Sequence, residues 1–136
     1  GRPESFVAAN GVDVRVTSAE KLQLEFLRDI VTQNSTSGTP IVCVPYCPGV
    51  AFMTERQMLL PNFYVDGAIL IGRPSWLAES IKLTQEIKPA VVIVIDWAIN
   101  GTEQSRFVVW AEPYIAAVEE MSRNKVVNGN ITAYIL

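Results

Sequence analysis

Asp96 and Trp97 stand at the end of the β-branched run Val91–Ile95. A carboxylate beside an indole can hold a sugar: the acid accepts hydrogen bonds from hydroxyls while the ring stacks on the sugar face. Open α/β sheets bind ligands at the carboxyl ends of their strands, where this pair falls. The plainer alternative is a strand-end Asp that caps the next loop, with Trp97 filling the core. The chain contains no histidine. That removes a Ser-His-Asp triad, a histidine-based zinc site and the usual neutral-pH proton shuttle, leaving carboxylates, Tyr, Lys or Cys for any catalyst. Glu119 and Glu120 read as a solvated helix face, because hydrolysis by paired carboxylates needs a defined gap across a cleft. Glu103 and Arg106, three apart, suit a weak ion pair at a helix start. No catalytic residue, metal ligand or cofactor is expected.

Cys43 and Cys47 flank Pro45. Positions four apart on an extended strand lie about 13 Å from each other, beyond disulfide reach. Only a sharp bend at Pro45 brings them together, so buried small side chains are the expectation. Three triplets, Asn34-Ser35-Thr36, Asn100-Gly101-Thr102 and Asn130-Ile131-Thr132, match the glycosylation acceptor pattern, all in or beside predicted turns.

These residues need a scaffold, and the composition supplies one. Hydrophobic residues make up 49% and charged residues 18% of 136, which is a folding sequence of one-domain size. Eleven Lys and Arg against 14 Asp and Glu give a formal charge of -3, so there is no basic footprint for nucleic acid. The longest apolar stretch, Ala90 to Ile95, is too short to cross a bilayer. One domain over 1–136 is expected, with residues 1–10 a linker or cloning remnant.

Asn10-Gly11 marks a turn, and Val12, Val14 and Val16 alternate with Asp13 and Arg15 as in a short strand. Thr17 and Glu20 form a capping box opening a helix to about Gln33, with Leu22, Phe26, Leu27, Ile30 and Val31 on one side. Ile41 to Tyr46 reads as a strand buried on both faces, ended by Pro45 and Pro48. Gly49 to Leu60 reads as an irregular excursion, with extended pieces at Phe63–Val65 and Ala68–Ile71. Pro74 starts a helix through Leu77, Ile81, Thr84 and Ile87, closed by Lys88-Pro89. Trp76 at its start is expected to pack within the domain. Val91–Ile95 is a second buried strand. A third helix runs through Tyr114, Val118 and Met121, and Asn128-Gly129 turns a hairpin ending in Ile131–Leu136. The predicted fold is a layered α-β-α domain with central parallel strands and a C-terminal antiparallel hairpin at the sheet edge.

Four features in order carry a family resemblance. They are Gly11-Val-Asp-Val-Arg-Val16 before the first helix and the run Thr39-Pro-Ile-Val-Cys-Val-Pro-Tyr-Cys-Pro-Gly-Val-Ala-Phe-Met-Thr-Glu-Arg56. A helix ending in Ile87-Lys-Pro-Ala before Val91 follows, then a final helix, hairpin and apolar strand. Over Gly11 to Leu136 the chain resembles the extracytoplasmic carboxyl-terminal domain of C-type membrane glycosyltransferases. These are the dolichyl-phosphate-mannose-protein mannosyltransferase-like and aminoarabinose-transferase-like proteins. The family's Pro-Tyr-x-Pro and Phe-Leu-Thr-Gly-Arg-like stretch corresponds to Pro45, Tyr46, Pro48, Phe52, Thr54 and Arg56. Glu55 stands where a glycine is common, and Gln57 to Leu60 replace an Asn-Pro-Thr-Arg run. The resemblance implies an accessory domain of an enzyme that takes sugar from a polyprenyl-phosphate carrier, with its catalytic acid in a membrane-embedded part not present here. It implies a cell-membrane parent, this domain lying on the extracytoplasmic side. The membrane-embedded portion of the same polypeptide is then a partner, with an acceptor glycan, lipid or protein as a further one. Tyr46, Phe52 and Arg56, with Asp96 and Trp97, become candidate ligand-binding residues near one sheet edge. The alternative has Tyr46 and Phe52 in the core and Arg56 solvated. A rival for the whole chain is a free-standing flavodoxin-like or receiver-like small-molecule binding domain, although no Gly-rich loop follows either central strand.

Overall fold

The structure, a computed structural model, describes residues 4–7, 13–45, 47, 54–60, 67–98 and 100–136. The expected turn at Asn10-Gly11 and the extended piece Phe63–Val65 lie outside them. The fold is mixed α/β, with a four-stranded sheet in the order β3-β4-β6-β5. Strands β3 (Val42–Val44) and β4 (Val91–Ile95) are parallel, with Val42 opposite Val92 and Val44 opposite Val94. Strand β6 (Ile131–Ile135) runs antiparallel to β4, and β5 (Asn124–Asn128) closes the edge as an antiparallel hairpin partner. That antiparallel β4–β6 pair departs from the mostly parallel sheet of flavodoxin-like and receiver-like domains.

Within the expected linker, residues 4–7 form a strand. β1 (Glu4–Val7) pairs antiparallel with β2 (Asp13–Val16) in a separate two-stranded sheet, and Phe6 is 2% exposed in the core. Helix α1 (Ser18–Asn34) follows, its start held by Glu20 N–H donating to Thr17 Oγ1 at 3.2 Å and by Thr17 O–H donating to Glu20 Oε1 at 2.9 Å. Its buried face is Leu27 and Val31, with Phe26 and Ile30 half-buried against the core. Leu22, predicted for that face, is 69% exposed, since 3.6 residues per turn put it on the side of the helix opposite Leu27 and Val31.

A short helical turn, α2 (Ile69–Gly72), replaces the extended piece expected at Ala68–Ile71. Consecutive Ile69 and Leu70 both pack on the core while Ile71 is 85% exposed, and an alternating strand cannot bury two neighbours on one face. Helix α3 (Trp76–Ile87) ends at Lys88 in the left-handed conformation, φ +55°. Beyond β4 come a single 3-10 turn, the short helix α4 (Phe107–Trp110) and α5 (Glu112–Met121), with Pro113 in the first turn.

The period of two along β3 and β4 divides the core. Cys43, Val91 and Ile93 join α1 and Phe6 in one cluster. Val42, Val44, Val92 and Val94 face the other way, toward Trp76, Phe107, Tyr114 and Val118. The continuous apolar runs are thus strands covered on both faces, as their composition predicts. The Thr84 and Tyr114 hydroxyls meet at 2.9 Å inside the second cluster, and Thr84 also donates to Ser80 O at 2.8 Å, tying α3 to α5. The hairpin turn occupies Gly129-Asn130, one residue later than predicted, because Asn128 is still paired with Ile131. Gly129 takes φ +60°, the sign a tight hairpin turn requires at its first position.

Candidate functional site

β4 delivers Asp96 to the sheet's carboxyl edge, where Asp96 N–H donates to Asn130 O at 2.8 Å and Asn130 Nδ2 donates to Asp96 O at 3.2 Å. The chain then loops back so that Ala98 bridges to Arg106. This return places the Arg106 guanidinium against the Asp96 carboxylate: Nε to Oδ1 is 2.9 Å and Nη2 to Oδ2 is 2.6 Å. A third donor, Nη1, reaches Glu103 Oε1. The hydrogen bond to Asp96, then that to Glu103, holds the Arg106 proton still more tightly than usual. Two-pronged pairing is the geometry in which a guanidinium matches a carboxylate best.

Asp96 is therefore a loop fastener first. Both carboxylate oxygens keep lone pairs open to water, with the side chain 32% exposed, so they can accept further hydroxyl hydrogen bonds. Trp97 is half-buried beside it and has no aromatic stacking partner among the described residues. The predicted ion pair of Glu103 and Arg106 exists, but the stronger partner, Asp96, went unseen: ten residues of separation carry no periodic signal.

Arg56 belongs elsewhere. Its guanidinium donates to Ser35 Oγ at 2.9 Å, Ser35 O at 3.1 Å and Thr54 O at 2.7 Å. Ser35 is the C-cap of α1, a helix with no basic residue in its last turn, and Arg56 supplies the cation that the carbonyl end favours. Half-buried, it has all three of its guanidinium nitrogens engaged within the chain. The following residues run beside β3, with Ile41 N–H donating to Gln57 O and Leu59 N–H to Ile41 O, both at 2.8 Å. Because Ile41 begins β3 and Asp96 follows the end of β4, Arg56 and Asp96 lie at opposite edges of the sheet. Five strand residues separate those levels, roughly 16 Å. The expectation of one shared edge is corrected. Tyr46 and Phe52 lie outside the described residues.

Cys43 and Cys47 form a disulfide, with Cα atoms 5.9 Å apart. The extended-strand spacing that spoke against it does not apply, since β3 stops at Val44, before Cys47. Both cysteines are buried. Trp76 packs within the domain as expected, 3% exposed and 5.9 Å from Trp110. Trp110 Nε1 is buried without a hydrogen-bond partner among the described residues.

A groove of about 490 Å³ runs along α3, lined by Leu60, Arg73, Trp76, Glu79, Lys82 and Leu83 among others. Its charges are already paired, Arg73 with Glu79 at 3.0 Å and Lys82 with Glu86 at 4.0 Å. Among the described residues no cluster of three or more His, Cys, Asp or Glu can hold a metal, and no helix is long and apolar enough to cross a membrane. Glu119 bonds Lys125 at 3.4 Å and the Tyr134 hydroxyl at 3.2 Å, while Glu120 is exposed, which fits a solvated helix face. No protein-family model, curated protein or solved structure matches the chain. Fold and site together define a mixed α/β domain with a salt-bridged carboxyl edge.

Proposed function

We propose that the chain is the extracytoplasmic accessory domain of a polyprenyl-phosphate-sugar-dependent membrane glycosyltransferase, positioning acceptor or carrier or stabilising the membrane-embedded part. The observation that carries this reading is the Cys43–Cys47 disulfide, which ties Cys47 of the Pro45-Tyr46-Cys47-Pro48 stretch that holds the resemblance back to β3. Disulfides persist in oxidising compartments and are rare in reducing ones, so a buried bridge favours the extracytoplasmic side. Glu55 adds support. It occupies the place where the resembled family commonly has glycine, and its φ of +55° is a conformation glycine adopts without strain.

In this reading the carboxyl edge, with Asp96, Trp97 and Arg106, faces the acceptor or the membrane part. The test is the natural gene together with the redox state of the protein in its own cells. Several membrane-spanning segments should be encoded upstream of Arg2, with an acidic pair in the first extracytoplasmic loop. Alkylation without reduction should leave Cys43 and Cys47 unlabelled. A gene without upstream spans, or two labelled thiols in freshly lysed cells, removes the proposal.

A further inference from the structure

Of the three Asn-x-Ser/Thr triplets, the geometry points to Asn100 as the one that accepts an N-linked glycan. This inference rests on the extracytoplasmic placement proposed above, because the lipid-linked oligosaccharides that donate such glycans are presented there.

The three asparagines differ in what holds their amide nitrogens. Asn34 is the last residue of α1, half-buried, with Nδ2 donating to Ile30 O at 2.8 Å. Asn130 spends Nδ2 on Asp96 O at 3.2 Å, and its Thr132 lies inside β6, paired with Val94 on one side and Val127 on the other. A transferring enzyme must draw the whole triplet into its site, which for Asn130 means breaking the sheet. Asn100 and Thr102 are both exposed in the loop after β4, on either side of Gly101 at φ +83°. Among the described residues, Asn100 Nδ2 makes no hydrogen bond.

The acceptor oxygen is also prepared. Thr102 O–H donates to Asn100 Oδ1 at 2.7 Å and Thr102 N–H donates to it at 3.2 Å. Both bonds stabilise negative charge on Oδ1, the charge that develops as Nδ2 gives up a proton. In the transfer, Nδ2 attacks C1 of an oligosaccharide carried on a polyprenyl diphosphate. The N–C1 bond forms, the C1–O bond to the diphosphate breaks, and the proton passes to a base of the transferring enzyme. Polyprenyl diphosphate leaves, and no oxidant or reductant is needed.

The whole chain, preceded by a cleavable secretion signal, is expressed in a eukaryotic secretory host and its mass is read before and after peptide-N-glycanase. One glycan is expected on the wild type, on Asn34→Gln and on Asn130→Gln. None is expected on Asn100→Gln or Thr102→Ala, and Thr102→Ser should restore it. A secreted wild type without a glycan overturns the assignment, as does a glycan that survives Asn100→Gln. Either result leaves the accessory-domain reading standing. A gene lacking membrane spans would remove that reading without changing this measurement, since a secreted free domain traverses the same compartment.

Discussion

Among the described residues, two non-glycine positions hold backbone conformations that cost a side-chain-bearing residue about 1–2 kcal/mol. Glu55 and Lys88 both have φ +55°, and both are exposed, so neither side chain is needed for packing. Glycine at either position should stabilise the protein by about 0.5–1 kcal/mol, after its larger unfolded-state entropy is subtracted. Urea denaturation of Glu55→Gly and Lys88→Gly reads this directly, and a lowered midpoint would contradict it. Asp96→Asn should lower the midpoint in the wild-type background and much less once Arg106 is already Ala. That double-mutant pattern separates a working pair from a crystallographic-style coincidence of charges. The sequence could nominate Asp96 as a strand-end acid, but its partner comes from a loop reversal that no local pattern encodes.

At the level of elements, the buried Thr84–Tyr114 contact is where α3 and α5 are fixed to each other. Thr84→Val strands the Tyr114 hydroxyl in the core and should cost about 1–3 kcal/mol. Tyr114→Phe leaves Thr84 still bonded to Ser80 O and should cost less, about 1 kcal/mol. The double variant should be less destabilised than the sum. The helices and strands themselves were largely legible. Thr17 and Glu20 marked the start of α1, Pro74 and Lys88-Pro89 bracketed α3, and unbroken apolar runs gave β3 and β4 as strands covered on both faces. What failed has a physical reason in each case. A four-residue apolar run such as Ala68–Ile71 has no length from which to tell a strand from a helical turn. The Cys43–Cys47 bridge depends on the path through Pro45, and spacing alone assumed a straight chain. Placing Arg56 beside Asp96 treated two loops as neighbours because both follow central strands. Arg56 in fact returns along β3 to its opposite end.

For the molecule as a whole, alkaline pH should unfold the domain ahead of general charge repulsion. Burial pushes the Tyr114 hydroxyl up to about 12, only partly offset by its bond to Thr84. Burial and then the Glu119 carboxylate push Tyr134 up to about 12 as well. Both phenols are raised in the folded state, so the stability tied to their neutral forms is complete below about pH 10, the unfolded value. It declines as pH rises from there through 12, because the unfolded chain then binds fewer protons. Phenolate absorbance during a pH titration should show two of the four tyrosines ionising late and together with unfolding. Reduction of the disulfide, or a Cys43→Ala/Cys47→Ala double change, should cost roughly 2 kcal/mol for so short a closed loop. Equilibrium urea curves with and without reductant measure it, and unchanged midpoints would refute it.

The amino-terminal hairpin gives the molecule a clasp rather than a tail. Phe6 is enclosed against α1, the Arg28 guanidinium lies 5.4 Å above its ring, and Arg28 Nη1 also grips Val7 O at 3.0 Å. Anyone trimming the first dozen residues as dispensable would uncork one whole side of α1. Losing Phe6 alone is worth about 3–5 kcal/mol, a large part of the roughly 5–15 kcal/mol that holds a domain folded. The shortened protein should therefore precipitate or melt early, even though every strand of the main sheet remains.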